Sequence, residues 1–200
     1  MSFNESFIPG ATAIGLIFKG GVVLGAEKRV AYGRFVVSGS GKKVFPLTKT
    51  VGAAFAGMMG DMQILAREIS SYVKIRELEL KREMPPNSVA KLMSVILFER
   101  RYVPFITQTI LGGVNGVPAI YVLDPLGSVI PDDYACVGSG AETAIGVVEA
   151  NYTEGMSEGK AKDLVIKAIR SASARDAGSG KDIDLLTITS SHQKSETILG

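Results

Sequence analysis

The spacing of apolar residues divides the chain into segments with two different periods. In the first quarter, short apolar runs are separated by glycine, serine or threonine, a pattern typical of β-strands. The predicted strands cover residues 12–18, 22–26, 35–37, 43–46 and 51–56. The first two lie on either side of Lys19-Gly20-Gly21, so we expect them to form a β-hairpin.

The middle of the chain changes to a helical period. Met62, Leu65 and Ile69 follow one another at spacings of three and four, and a similar pattern restarts after the prolines at 85 and 86. The sequence therefore predicts amphipathic helices over residues 61–83 and about 89–102.

The second half of the chain returns to strands and ends with further helices. Strands are predicted at 105–114 and 118–123, joined by Asn115-Gly116, and as another pair at 126–130 and 134–137. Helices follow at 141–151 and after Ser157, then a strand at 184–189 and a polar tail from Ser190. Hairpins combined with helix pairs predict an α+β fold in which helices cover antiparallel sheets.

The composition excludes several kinds of catalytic and metal site. The 200 residues include one histidine, His192, and one cysteine, Cys136. His192 stands in the polar tail, so a Ser-His-Asp triad is not expected. A single cysteine excludes an internal disulfide, a CxxC pair and a Cys/His zinc cluster, which indicates the cell interior.

Charge and hydropathy indicate the kind of partner. The net charge is +2 without a long basic run, so nucleic acid is not indicated. The sequence lacks the charged start of a secretory signal and an apolar run long enough to span a bilayer, and we expect a soluble cytoplasmic protein. A mean hydropathy of +0.23 favours either faces buried against other subunits or a well-filled core.

No motif indicates a cofactor or metal. The glycine-rich segments match neither a dinucleotide-binding motif nor a P-loop, and they are explained as turns or caps. There is no HExxH, no EF-hand loop and no other cluster of ligating residues. We therefore expect neither a cofactor nor a metal site.

Six motifs taken together resemble the β-type subunits of archaeal 20S proteasome cores over nearly the whole chain. They are Gly10-Ala11-Thr12-Ala13-Ile14-Gly15, Glu27-Lys28-Arg29, Gly41-Lys42-Lys43, Ala56-Gly57-Met58-Met59-Gly60-Asp61, Gly138-Ser139-Gly140 and Arg175-Asp176-Ala177-Gly178-Ser179-Gly180. The resemblance implies the four-layer αββα sandwich of the N-terminal-nucleophile hydrolases. It divides the chain into a leader at 1–10, one domain at 11–189 and the polar tail at 190–200.

The resemblance also implies the chemistry of a threonine protease. In active members a propeptide ending in glycine is removed, and the new amino-terminal threonine attacks the peptide carbonyl, with its own α-amine as base. An α-amine titrates near pH 7.7–8.0, so neither histidine nor cysteine is needed. The supporting residues match Glu27, Lys43, Ser139, Asp176 and Ser179, and the oxyanion-stabilising backbone N–H matches Gly57.

The position of the nucleophile is occupied by Ala11. Alanine has no hydroxyl, so this residue can neither attack a substrate nor release its own leader. Thr12 is the fallback nucleophile, but successive side chains on a strand point to opposite faces, and we expect its hydroxyl to point away from Lys43. The substrate-side pocket of the family matches Val30, Gly41, Phe55 and Met59, for which ordinary packing is an equal explanation.

The first hypothesis is a non-catalytic β-ring subunit that keeps its leader. It completes mixed rings with a catalytic β subunit, between outer α rings, in a particle that takes part in the ATP-dependent degradation of unfolded polypeptides. The second hypothesis is an active threonine endopeptidase using Thr12, or an active subunit in which Ala11 is an engineered substitution. An acylase of the same fold is a third, weaker interpretation.

Overall fold

The computed structural model describes residues 10–33 and 35–200, which form twelve strands and four helices. Apart from Gly10, the predicted leader lies outside these residues. The strands are β1 (Thr12–Phe18), β2 (Gly21–Glu27), β3 (Val30–Tyr32), β4 (Phe35–Ser38), β5 (Val44–Pro46), β6 (Val51–Gly57), β7 (Thr107–Asn115), β8 (Val117–Leu123), β9 (Ile130–Asp132), β10 (Tyr134–Gly138), β11 (Ile183–Thr189) and β12 (Gln193–Ile198). The helices are α1 (Met59–Leu80), α2 (Pro86–Glu99), α3 (Ala141–Asn151) and α4 (Glu158–Ser173).

Two five-stranded antiparallel sheets form the centre of the molecule. The first has the strand order β10-β1-β2-β11-β12, and the second has the order β5-β6-β7-β8-β9. The short strands β3 and β4 pair only with each other in this part of the chain. The α+β class and the hairpins β1–β2 and β7–β8 are confirmed.

Three apolar cores separate four layers. Ala13 and Leu24 pack between the two sheets, whereas Ile14 and Leu16 pack under α3 and α4. On the far side, the second sheet packs against α1 and α2 through residues such as Phe55. Because both faces of the first sheet are covered, β1 and β2 are nearly continuous apolar runs rather than alternating ones. The arrangement is an αββα sandwich.

The predicted strand pair at 126–130 and 134–137 is wrong. Strand β9 pairs with β8 in the second sheet, and β10 pairs with β1 in the first. The chain passes from one sheet to the other at Asp133, whose carbonyl accepts a hydrogen bond from the Ile17 amide at 2.8 Å. Strand β10 therefore lies in the first sheet although β9, which precedes it in sequence, lies in the second. Its residues Ala135 and Val137 pack between the two sheets.

The polar segment predicted as a tail contains a strand. Residues Gln193–Ile198 form β12, which pairs with β11 at the edge of the first sheet. Lys162 of α4 donates to Glu196 at 2.6 Å, and Gln193 donates to the Thr48 carbonyl at 3.0 Å. An edge strand with one solvent-facing side needs few apolar residues, so hydrophobic periodicity does not detect it.

Candidate functional site

The residues predicted for the site lie at one end of the sandwich. Ala11 precedes β1, and Glu27 ends β2, its antiparallel neighbour. Lys43 precedes β5, and Gly57 ends β6, which is antiparallel to β5. The loops before α3 and after α4 supply the other three residues, Ser139, Asp176 and Ser179.

Lys43 and Glu27 form a buried ion pair. Both side chains are almost completely inaccessible, and the Lys43 ammonium donates a hydrogen bond to Glu27 Oε1. The second oxygen of Glu27 accepts the amides of Arg29 at 2.6 Å and Gly180 at 2.8 Å. Burial lowers the pKa of Lys43, and the charges of Glu27 and Asp176 partly offset that effect. The pair joins β2, the segment before β5 and the loop after α4.

Asp176 is the centre of a second set of hydrogen bonds. Its Oδ2 accepts the hydroxyls of Ser139 at 2.7 Å and Ser179 at 2.6 Å, and its Oδ1 accepts the Gly178 amide at 3.0 Å. Ser139 Oγ in turn accepts the amide of Ala11 at 3.0 Å. The nitrogen of residue 11 is therefore linked to a carboxylate through one hydroxyl.

Ala11 and Thr12 direct their side chains into different layers. Ala11 belongs to the apolar cluster between the sheets, together with Val44 and Ala56. Thr12 is fully buried, and its hydroxyl lies 2.7 Å from Ser179 Oγ. A Cβ on Gly140 would lie 2.1 Å from Thr12 Oγ1, so only glycine leaves room for that hydroxyl. The site thus has no hydroxyl on the side chain of residue 11.

Gly57 occupies a backbone conformation that requires glycine. Its φ is +143°, and a Cβ there would lie 2.2 Å from the carbonyl oxygen of Ile106. That carbonyl accepts the Met58 amide at 2.7 Å, and the Ile106 amide donates to Asp61 Oδ2 at 2.7 Å. Asp61 therefore fixes Ile106, the residue before β7, against which Gly57 lies. Sequence reasoning missed this role although Asp61 ends one of the six motifs.

Gln108 is a second residue near the site that sequence reasoning missed. Its side-chain oxygen accepts the amide of Gly138 at 2.8 Å. Gly138 has a φ of +98°, and a Cβ there would lie 2.1 Å from the carbonyl oxygen of Ala11. A single glutamine within an apolar strand carries no pattern that would indicate this contact.

Three of the four residues predicted for the pocket come together. A Cβ on Gly41 would lie 2.4 Å from Val30 Cγ2 and 2.7 Å from Met59 Cε. Phe55 is instead fully buried in the core beneath α1 and α2, where its ring packs edge-on against Phe45 at 5.7 Å. Met59 packs on that same core and links it to the surface near Gly41.

Across residues 10–33 and 35–200, no three ligating side chains come together as a metal would require. In that same part of the chain, no helix is both long and apolar enough to cross a membrane.

Comparison with known proteins decides the family. A sequence profile for "Proteasome subunit" matches residues 9–188, which is most of the chain. The chain belongs to the proteasome subunit family. Its two stacked sheets between helical layers form the α+β sandwich of N-terminal-nucleophile hydrolases.

Several archaeal proteasome subunits are similar to this chain. Proteasome subunit beta 1 of Cenarchaeum symbiosum is 55% identical over 181 residues, covering 90% of this chain and 94% of that protein. Proteasome subunit beta 1 of Nitrosopumilus maritimus is 54% identical over 183 residues, covering 92% of each. Proteasome subunit beta 2 of Caldivirga maquilingensis is 45% identical over 179 residues, covering 89% of this chain and 90% of that protein. The resemblance to archaeal β-type subunits is thereby confirmed.

Proposed function

We propose that this chain is a β-ring subunit of a 20S proteasome core that does not itself cleave peptide bonds and that keeps residues 1–10. Ala11 carries the proposal. It stands where active relatives of this fold need a threonine, and its side chain belongs to the apolar cluster between the sheets. Without that hydroxyl the chain has no group to attack either a substrate or its own leader.

The supporting residues of the site are present, which favours a loss of the nucleophile alone. The family resemblance assigns Lys43, which is paired with Glu27, the role of a positive charge near residue 11. It assigns Gly57 the backbone N–H that stabilises an oxyanion, which is worth about 2.7–4 kcal/mol for a good donor. Ser139 accepts the amide of Ala11, and Asp176 accepts the hydroxyls of Ser139 and Ser179. Together with Glu27, these groups match the supporting roles that the family resemblance assigns.

A chain of this kind acts in a mixed ring. Its partners are β-type subunits that include a catalytic one, together with subunits of an outer α ring, and the particle receives unfolded polypeptides in the cytoplasm. Large apolar residues are exposed on the β3–β4 hairpin and on the α1–α2 layer, among them Phe35, Val37, Ile75 and Leu78. Such surfaces favour burial against other subunits.

An endopeptidase that uses Thr12 is the alternative, and the geometry disfavours it. The Thr12 hydroxyl is fully buried, bonded to Ser179, and enclosed next to Gly140. To act as a nucleophile it would have to move to the other side of β1. A change of that kind shifts every buried residue of the strand to the opposite face.

The substitution Ala11→Thr tests the proposal. In particles assembled with the partner subunits, we expect this variant to lose residues 1–10 and to react with threonine-directed electrophiles. The matched control is Ala11→Val, because valine has the shape of threonine without its hydroxyl and should stay uncleaved. Intact mass and covalent labelling are the measurements.

Two outcomes would contradict the proposal. If the Ala11→Thr variant assembles but stays uncleaved and unreactive, the site has lost more than its nucleophile. If wild-type chain reacts with the electrophile, another residue is catalytic, and labelling of Thr12 would establish the alternative.

A further inference from the structure

The hydrogen bonds around Asp176 are complete without a substrate or a free amine. Ser139 and Ser179 each have one hydroxyl hydrogen, and both donate it to Asp176 Oδ2. The bond from Ser139 to Asp176 is shorter than the 3.3 Å contact of the same hydroxyl with the Ala11 carbonyl, and a lone pair of Ser139 accepts the Ala11 amide at 3.0 Å. Ser179 is left as an acceptor, so Thr12 donates to it across 2.7 Å. Each group in this set has a partner while residue 10 is still attached.

The same loop lies directly against Gly10. A Cβ on Gly10 would lie 2.5 Å from Gly178 Cα, and a Cβ on Gly178 would lie 2.5 Å from Gly10 Cα. The two backbones are therefore in contact, and a side chain on either would separate them. The Gly178 amide is held by Asp176 Oδ1 at 3.0 Å. One carboxylate thus positions both Ser139 and the loop segment that touches Gly10.

The carbonyl of Ala11 is enclosed as well. It lies 3.3 Å from Ser139 Oγ and accepts a long hydrogen bond from the Gly140 amide at 3.4 Å. On its other side, Gly138 approaches so closely that a Cβ there would lie 2.1 Å from the carbonyl oxygen. Ala11 itself is fully buried. Both ends of this residue's backbone are therefore fixed.

We infer that Ser139, Asp176, Ser179 and Thr12 form an anchor that holds the uncut Gly10–Ala11 peptide, and that Thr12 is the positioning residue at its inner end. The anchor rests on the proposed function, since it describes a chain that keeps residues 1–10. Thr12 acts through Ser179: its donated hydrogen bond directs the Ser179 hydroxyl to Asp176, which then orients Ser139 toward Ala11. The four side chains therefore have a structural role in a subunit without a nucleophile.

Amide hydrogen exchange at Ala11 in the full chain tests the anchor. Ser139→Ala removes the acceptor of the Ala11 amide, and exchange at Ala11 should accelerate roughly five- to tenfold, the factor that a lost hydrogen bond of about 1 kcal/mol produces. Thr12→Val keeps the shape of the side chain and removes only the hydroxyl, so a smaller acceleration of several-fold is expected. Thr12→Ser restores the hydroxyl and should restore the slow exchange.

Ser173→Ala is the matched control. Ser173 lies at the end of α4 and donates to the Gly180 carbonyl at 2.6 Å, so it bonds to the same loop without joining the Asp176 set. This variant should leave exchange at Ala11 unchanged. The melting transition of each variant shows that it is folded.

The anchor and the proposed function fail in different ways. Unchanged exchange at Ala11 in folded Ser139→Ala and Thr12→Val chains would overturn the anchor and leave the proposed function intact. Equal acceleration in Thr12→Val and Thr12→Ser would overturn the positioning role of the hydroxyl. Loss of residues 1–10 from the wild-type chain would instead contradict the proposed function.

Discussion

At the scale of single residues, the site is determined by which face of β1 each side chain takes. Ala11 enters the layer between the sheets, whereas Thr12 enters the layer under the helices and bonds to Ser179. One step along the strand therefore separates the residue that we propose as the position of the missing nucleophile from a buried hydroxyl. Residue 11 has no side-chain hydroxyl, yet its amide keeps its hydrogen bond to Ser139.

The buried pair of Lys43 and Glu27 gives a prediction about stability. Lys43→Met leaves Glu27 as a buried carboxylate with only two amides as partners, and we expect it to lower the free energy of unfolding by about 3–5 kcal/mol. The double variant Glu27→Gln/Lys43→Met removes both charges and should lose less than the two single variants together. Denaturant unfolding of the four proteins measures the coupling, and additive losses would contradict a paired role.

The stability difference between wild type and Lys43→Met should depend on pH. Because burial lowers the pKa of Lys43 below its ordinary 10.5, the unfolded chain holds that proton more tightly than the folded chain. The free energy of unfolding therefore rises with pH between the lowered value and 10.5. The advantage of wild type over Lys43→Met should widen as the pH is raised through that window, and a constant or narrowing difference would contradict the lowered pKa.

The role of a site residue could be predicted from the sequence only where that residue belongs to one of the six motifs. Glu27, Lys43 and Asp176 follow from the order of motifs along the chain, but their hydrogen bonds depend on how the two sheets stack. Gln108 has no motif, and its contact with Gly138 exists only because β7 and β10 belong to facing sheets. The donor role of Thr12 likewise requires the position of the loop after α4.

At the scale of elements, periodicity predicted the helices and the long strands and missed the edges. Helices α1 to α4 and the hairpins β1–β2 and β7–β8 bury clear apolar stripes, so their patterns are strong. Strand β3 has three residues, and β12 is mostly polar. The chain leaves the second sheet after β9 and enters the first sheet at β10. This change depends on which residues pack on the two faces of β10, and the local sequence does not indicate them.

Strand β12 gives a prediction at this scale. Ending the chain after Ser191 removes a strand that pairs with six residues of β11 and also removes Glu196, which holds Lys162. We expect the free energy of unfolding to fall by roughly 3 kcal/mol or more, since each lost backbone hydrogen bond contributes about 0.5–1.5 kcal/mol. Removal of Leu199 and Gly200 alone, as a control, should cost about 1 kcal/mol for the bond from the Gly200 amide to Asp182. An unchanged melting transition after the longer truncation would show that β12 contributes nothing.

At the scale of the whole molecule, the two helical layers differ in what they expose. Ile64, Ile75 and Leu78 of α1 are exposed on the side away from the core, and Phe98 of α2 is exposed as well. Within the described chain, no large hydrophobic residue of α3 or α4 is exposed to that degree. The high mean hydropathy therefore arises from three filled cores and from apolar surfaces that favour contact with other subunits.

The proposed function requires that this subunit enters the particle uncut. The intact mass of the chain, measured after assembly with the catalytic β subunit and the α subunits that we propose as its partners, is the most direct test. We expect a mass that includes Gly10 and Ala11, so that Thr12 remains inside a peptide chain. A mass that corresponds to a chain beginning at Ala11 or at Thr12 would contradict it.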